Sequence, residues 1–333
     1  MDIEQVDPLD LDGRVAERLA EIANAADATD SAVHVPVSGP SLLAQARFTF
    51  ENRPYDGMWL AHDRPGALIG YATLEVSSWD NLDTGVVFCH VHPDHRGSGV
   101  GSGLLAAQEL ELRKHERSKA MTFLLRDSPG ERFLVSHGWE VGQHTSQRRL
   151  VLADLDRVNL GVLMREAAER AGDYELVPVD GPVSEDLLPD LQALYEAIND
   201  APLDDLDSEP EAFPPERVNA ASQSMEARGQ HVYRLMARHR ESGEWAGHTI
   251  LCVDTLMPGM AYQEDTSVIG SHRGHRLGVL LKATMLEWML DVEPELATID
   301  TWNADTNDHM IAVNEMLGSR VINRESVVQG HIR

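Results

Sequence analysis

Two short segments carry the residue types of an anion cradle. Residues 91–104 read VHPDHRGSGVGSGL and residues 268–281 read VIGSHRGHRLGVLL. In each, a strand-like run ends in a valine (Val91, Val268), a loop follows, and a helical pattern begins near Gly99 or Leu277. The first loop is Arg96, Gly97, Ser98, Gly99, Val100 and Gly101; the second is Arg273, Gly274, His275, Arg276, Leu277 and Gly278. Glycines let successive backbone N–H groups turn toward one point without Cβ interference. The first turn of the helix adds unpaired donors and the positive end of its dipole, a combination suited to a pyrophosphate. Neither loop has the Gly-Lys-Ser/Thr of a nucleoside-triphosphate loop. The surrounding elements also fit poorly with the parallel βαβ unit and downstream acid of a dinucleotide site. Binding of NAD or ATP is therefore not expected.

Two other groupings invite chemistry. His90, His92 and His95 have ligand-like spacing, but no cysteine or carboxylate completes a shell, and no metal is expected. Residues 200–216, DAPLDDLDSEPEAFPPE, hold Asp200, Asp204, Asp205, Asp207, Glu209, Glu211 and Glu216 without a basic residue. They read either as a solvated acidic loop or as a rim that attracts a cation.

The elements that must hold these loops are themselves repeated. Val91, His95, Arg96, Gly97 and Gly101 match Val268, His272, Arg273, Gly274 and Gly278 at an offset of 177, and FLVSHGWEV (133–141) matches VNEMLGSRV (313–321) at 180. A period this long means duplicated domains rather than a solenoid. Each copy reads as an opening strand, two helical segments, three strands, the loop and its helix, then strand, short helix and strand. The helical segments fall at 14–24 and 41–50, and at 184–198 and 215–228. SQRRLVL (146–152) reads as the closing strand of the first copy, and YELVPVD (174–180) opens the second. The expected division is 1–152, a connecting helix within 153–172, and 173–333. The expected fold is α/β, in the α+β sense of a mixed, largely antiparallel sheet.

Composition narrows the partners. The 333 residues are 42% hydrophobic and 25% charged, and 28 basic residues stand against 55 acidic ones, a net charge of -27. Such a surface repels phosphate backbones, which argues against nucleic acid or an anionic membrane as partner. No apolar run approaches a bilayer span, and the acidic start lacks a secretory pattern, so a cytoplasmic address is expected. Cys89 and Cys252 sit in apolar stretches and read as buried reduced thiols.

Arg96 to Gly101 resembles the Q/R-x-x-G-x-G/A motif of the GNAT acetyltransferase superfamily, and Arg273 to Gly278 resembles it with Arg276 in place of the first glycine. Asn307-Asp308-His309-Met310 through Gly318 resembles the family's later block. Two such domains in tandem resemble the mycothiol synthase architecture. The resemblance implies acetyl-CoA as cosubstrate, its pyrophosphate on the two loops next to Val91 and Val268, and its pantetheine arm near Asn307. It implies a general base some eight to ten residues ahead of the loop's arginine, where the second copy has Gln263, Glu264 and Asp265. The first copy, over Gly85 to Phe88, offers no carboxylate there. The family's usual tyrosine acid is Leu134 in the first copy and Asn314 in the second, so Asn314 can only orient, and Asp127 replaces the first copy's pantetheine asparagine.

The implied activity is direct transfer of an acetyl group from acetyl-CoA to a small, cationic amine by the second copy, in a monomer or homodimer, with residues 200–216 at the acceptor entrance. Arg276 would swing outward to pair with a CoA phosphate. An acyl-CoA-binding or sensing protein with little turnover, or a role in thiol-cofactor biosynthesis, stands as the alternative.

Overall fold

The computed structural model describes residues 1–332 except Pro65. The elements run β1 (Asp2–Gln5), α1 (Gly13–Asp30), α2 (Gly39–Arg47), β2 (Gly57–His62), β3 (Leu68–Val76), β4 (Thr84–Val91), α3 (Val100–Lys114), β5 (Lys119–Leu125), α4 (Pro129–Ser136) and β6 (Glu140–Val151). They continue as α5 (Arg157–Arg170), β7 (Tyr174–Asp180), α6 (Leu188–Glu196), α7 (Pro215–Ala227), β8 (Gln230–His239), β9 (Trp245–Asp254), β10 (Met260–Val268), α8 (Leu277–Val292), β11 (Thr298–Ala304), α9 (Asp308–Met316) and β12 (Arg320–His331). This is the mixed α/β order expected from the repeat. Among the described residues, no helix is long and apolar enough to cross a membrane.

The chain forms two compact units, and neither is one continuous stretch. The first comprises 1–145, 203–210 and 323–333; the second comprises 146–202 and 211–322. In the first unit the strand order is β1-β2-β3-β4-β5, followed by β12. β12 pairs antiparallel with β5 from Glu325↔Leu125 to His331↔Lys119. Val328 is fully buried in this unit's core, with Leu74, Leu104 and Trp139. In the second unit the order is β7-β8-β9-β10-β11, followed by β6. SQRRLVL is a strand, as expected, but its residues 146–151 belong to the second unit rather than closing the first. Strand patterning reports that a segment is extended and half-buried; it does not report which neighbour it pairs with.

Both units use the same local devices to aim their loops. α3 and α8 pack their apolar sides on the sheets, through Val100, Leu104 and Leu112 in one and Leu277, Leu281, Met285 and Met289 in the other. On the opposite side of the second unit's sheet, α6 and α7 cover Val232, Met236, Ile250 and Cys252. Cys252 is buried as expected, whereas Cys89 is exposed, because it lies where β4 has left its parallel neighbour β5.

Candidate active site

The site in the second unit begins as a split between two parallel strands. β10 and β11 pair at Met260↔Thr298, Ala261↔Ile299 and Tyr262↔Asp300, and no further. Asp300, fully buried at the last pair, is held by Arg149 through two hydrogen bonds of 2.6 and 2.7 Å, and by Gln147 at 3.0 Å. These ties anchor β11 to the β6 residues of this unit, on the side away from β10. Just past the split, the Thr301 hydroxyl donates to the Gln263 carbonyl at 3.3 Å.

On its other edge β10 slips against β9 between Gln263 and Thr266. Glu264 and Asp265 lie in that slip, outside the antiparallel ladder. A bulge of this kind re-aims side chains and frees backbone amides. Gln263 pins its start, donating from Nε2 to the Thr249 hydroxyl (3.1 Å) and the Ile250 carbonyl (2.5 Å). The first unit has the split, but its β3–β4 ladder has no bulge. β4 and β5 pair only over Thr84↔Lys119 to Val86↔Met121, while β3 and β4 stay in register from Val76↔Gly85 to Gly70↔Val91. At the offset of the repeat, Asp265 corresponds to Phe88, which stacks on Phe123.

The loops are alike in backbone and differ in side chains. Gly97 (φ 72°), Gly99 (φ 88°) and Gly274 (φ 86°) are left-handed, and so is Arg276 (φ 58°), the residue before α8. A Cβ built on Gly97, Gly99, Gly274 or Gly278 would meet no atom within 4 Å, so both cradles open outward with room for a ligand. The two motif arginines brace their loops. Arg96 grips Asp30 with two bonds of 2.8 Å and reaches the Val91 carbonyl at 3.4 Å. Arg273 bonds the Val268 carbonyl at 3.0 Å and pairs with Asp200. Ser98 donates to the His95 carbonyl at 2.6 Å, and the rings of His275 and Tyr174 lie 5.5 Å apart. The Arg276 guanidinium pairs with Glu166 of α5 at 2.9 Å. Val100 and Leu277 are buried, so what they offer a ligand is the backbone at a helix start.

The carboxylates in the bulge have unlike surroundings. Asp265 Oδ2 lies 2.7 Å from Nε2 of His248 on β9, while Oδ1 is buried without a hydrogen-bond partner. His248 is fully buried, and its Nδ1 is 3.2 Å from Nη1 of Arg234 on β8. Arg234, 2% exposed, donates from Nη2 to the Tyr195 hydroxyl of α6 at 2.8 Å and lies over the Tyr195 ring. Burial holds the His248 imidazole below its ordinary range, opposed by Asp265. Burial also raises Glu264, with Arg228 pulling the other way and Asp265 adding to the rise. Across from them Lys282 of α8 is 6% exposed, and burial lowers it to about 7 against the opposing pull of Asp265.

The asparagines of the later block are structural at close range. Asn314, 2% exposed, donates from Nδ2 to Oδ1 of Asn303 on β11 at 2.7 Å. The Asn307 side chain caps α9, accepting from the Met310 amide at 3.3 Å. In the first unit Leu134 is core, and Asp127 stands in a left-handed turn before α4. His248, Arg234, Tyr195 and Lys282 escaped the sequence reading. Their signal is a lone polar letter in an apolar run (GHTILCVD, HVYRLMAR, LLKATML), which reads equally well as a satisfied core residue.

The acidic segment is divided between the units: Asp200 pairs with Arg273 beside the second loop. Its residues 203–210 belong to the first unit, where Asp207 pairs with Lys119 at 2.9 Å and Glu209 exchanges bonds of 2.6 and 2.9 Å with Asn81. A cavity of about 260 Å³ in the second unit, lined by Leu160, Leu163, Leu317 and Arg320 among others, lies under α5 and the end of α9, away from the bulge.

Residues 54–141 match the family model described as an acetyltransferase (GNAT) domain. No curated protein matches the chain. A solved tandem GNAT protein from the clavulanic acid biosynthesis pathway superposes with a TM-score of 0.79 at 22% identity, over 100% of this chain and 99% of that one. A GCN5-related N-acetyltransferase from Sphaerobacter thermophilus gives 0.71 at 15% identity, over 99% and 96%. A putative acetyltransferase from Pyrococcus horikoshii gives 0.61 at 12%, over 99% and 89%. The class is the GNAT acetyltransferase fold. Over the whole chain the likeness is one of fold, to a tandem arrangement, with one split sheet and one left-handed loop before a helix in each unit.

Proposed function

We propose that the second unit transfers the acetyl group of acetyl-CoA directly to the amine of a small, cationic acceptor. The observation that carries this reading is the bulge of β10, which sets two carboxylates at a strand split, one strand-end away from an open glycine loop. The loop 273–278 and the start of α8 hold the pyrophosphate through backbone N–H groups, which suits an acidic protein with few cations to lend. The thioester lies in the split, its carbonyl oxygen accepting from bulge amides. A bulge carboxylate takes a proton from the acceptor ammonium; the amine nitrogen then attacks the carbonyl carbon, the C–N bond forms and the C–S bond breaks. The thiolate leaves with the proton released from the amine nitrogen or with one from water. Asn314 orients the site through Asn303. The net charge of -27 favours a cationic acceptor over an anionic one.

The first unit, with its unbroken β3–β4 ladder and Phe88 in place of Asp265, supports acyl-CoA binding without turnover. Two variants separate the units. A side chain at Gly278 enters open space, and one at Gly101 meets only the Phe133 ring at 3.7 Å, so Gly278→Glu and Gly101→Glu are both expected to fold. Acceptor-dependent release of CoA should vanish in Gly278→Glu and persist in Gly101→Glu. The reverse result moves turnover to the first unit.

A further inference from the structure

We propose that Asp265, rather than Glu264, is the base, and that His248 is its positioning residue, fixed in one neutral tautomer by Arg234. This rests on the acetyl-transfer reading above and assigns residues within it. Four side chains from four elements form one chain of hydrogen bonds: Tyr195 of α6, Arg234 of β8, His248 of β9 and Asp265 of β10. A guanidinium has only donors. The His248 Nδ1 that faces it is therefore the acceptor, and the remaining proton sits on Nε2 and is donated to Asp265 Oδ2. Protonating His248 would set an imidazolium N–H against a guanidinium N–H inside the protein, so the imidazole stays neutral.

That geometry decides between the carboxylates. A buried carboxylate is driven toward its protonated form unless a donor holds it ionised. Asp265 receives the Nε2–H of His248 on Oδ2, while its Oδ1 is buried without a partner. A buried carboxylate oxygen without a protein partner leaves a lone pair open to a substrate proton. Among the described residues no side chain donates a hydrogen bond to Glu264, and burial raises it. The charged and titratable groups facing Asp265 are His248 on β9, Glu264 beside it on β10, Lys282 on α8 and, through His248, Arg234 on β8 and Tyr195 on α6; Arg228, at the end of α7, acts on Glu264. In the transfer, Asp265 takes the ammonium proton on Oδ1, keeps the His248 bond on Oδ2, and returns the proton to solvent after CoA leaves.

The test is the pH profile of kcat/KM for acceptor-dependent CoA release by the full chain. Glutamine offers one donor and one acceptor end, so His248→Gln should keep the acidic limb in place and the rate within about threefold of the unmutated protein. His248→Leu, which removes a hydrogen bond to a carboxylate, should move that limb up by about one pH unit, lowering the rate by up to about tenfold on the limb and leaving the alkaline plateau in place. Asp265→Asn should abolish transfer while acetyl-CoA still binds by calorimetry, and Glu264→Gln should retain it. Should His248→Leu fail to fold, the nitrogen shifts of His248 in the unmutated protein serve instead: a neutral Nε2–H imidazole at pH 7 supports the assignment, and an imidazolium overturns it. Equal loss at every pH in His248→Leu, or transfer that survives Asp265→Asn, overturns the assignment alone. Absence of CoA release from the unmutated protein with any amine, despite acetyl-CoA binding, overturns the transfer reading and this assignment together.

Discussion

Lys282 sits on α8 with 6% of its surface exposed, and burial lowers its ammonium from 10.5 to about 7. Between these values the unfolded chain binds a proton that the folded chain does not, so the unfolding free energy rises with pH across that window. Burying the lysine therefore costs most at and below pH 7, and the cost fades toward about pH 10. Lys282→Met should stabilise the protein at pH 7, by roughly 2 kcal/mol, and the gain should shrink steadily in melts taken toward pH 10. A gain that does not change with pH would mean that the methionine acts by packing alone. Lys282 and His248 also show what one sequence hides at this scale. Inside LLKATML or GHTILCVD, a polar residue that serves the core and one that serves a site are written alike. Only the partner distinguishes them, and that partner lies on another element: His248 meets Asp265 17 residues on and Arg234 14 residues back.

At the scale of elements, the loops were legible and the bulge was not. The glycines that turn left-handed in the two cradles are visible as letters, and the helix that follows each shows its apolar stripe. The slip in β10 falls in Gln-Glu-Asp-Thr, with no glycine or proline to mark it, and comes from the register of three strands at once. Arg276 is the local conflict in the second loop, because a side chain occupies a left-handed position at φ 58°. For a non-glycine residue that conformation costs about 1–2 kcal/mol, and the exposed pair with Glu166 returns only about 0–1 kcal/mol. Arg276→Gly should thus be neutral to slightly stabilising in urea unfolding, whereas Arg276→Val, β-branched, should lose roughly 1–2 kcal/mol. A marked loss in Arg276→Gly would mean that the Glu166 pair, and not the turn, holds the loop.

For the whole molecule, the repeat shows two copies but not which sheet the last strand of each copy joins. The repeat places the second helix–strand block at a nearly constant offset, which identifies β6 and β12 as equivalents without saying which sheet each joins. Pairing is non-local, and no alternation of apolar and polar residues encodes a partner. The first unit shows what depends on the outcome. Its β5 pairs with seven residues of β12, from Glu325 to His331, and Ser326 and Val328 are fully buried there. Gly330 lies so close under Trp139 that a Cβ would come within 2.5 Å of the ring. A fragment of residues 1–152 keeps Trp139 and β5 but loses the strand that covers both, leaving an open apolar edge of the kind that recruits other chains. Expressed alone, 1–152 should elute as aggregate in size-exclusion chromatography. The same fragment extended through a flexible linker by residues 320–332 should run as a monomer and unfold cooperatively, and Gly330→Ala in that extension should return it toward aggregation through the clash with Trp139. A monomeric, cooperatively unfolding 1–152 fragment would show instead that the first unit closes with its own residues and that the C-terminal strand is dispensable to it.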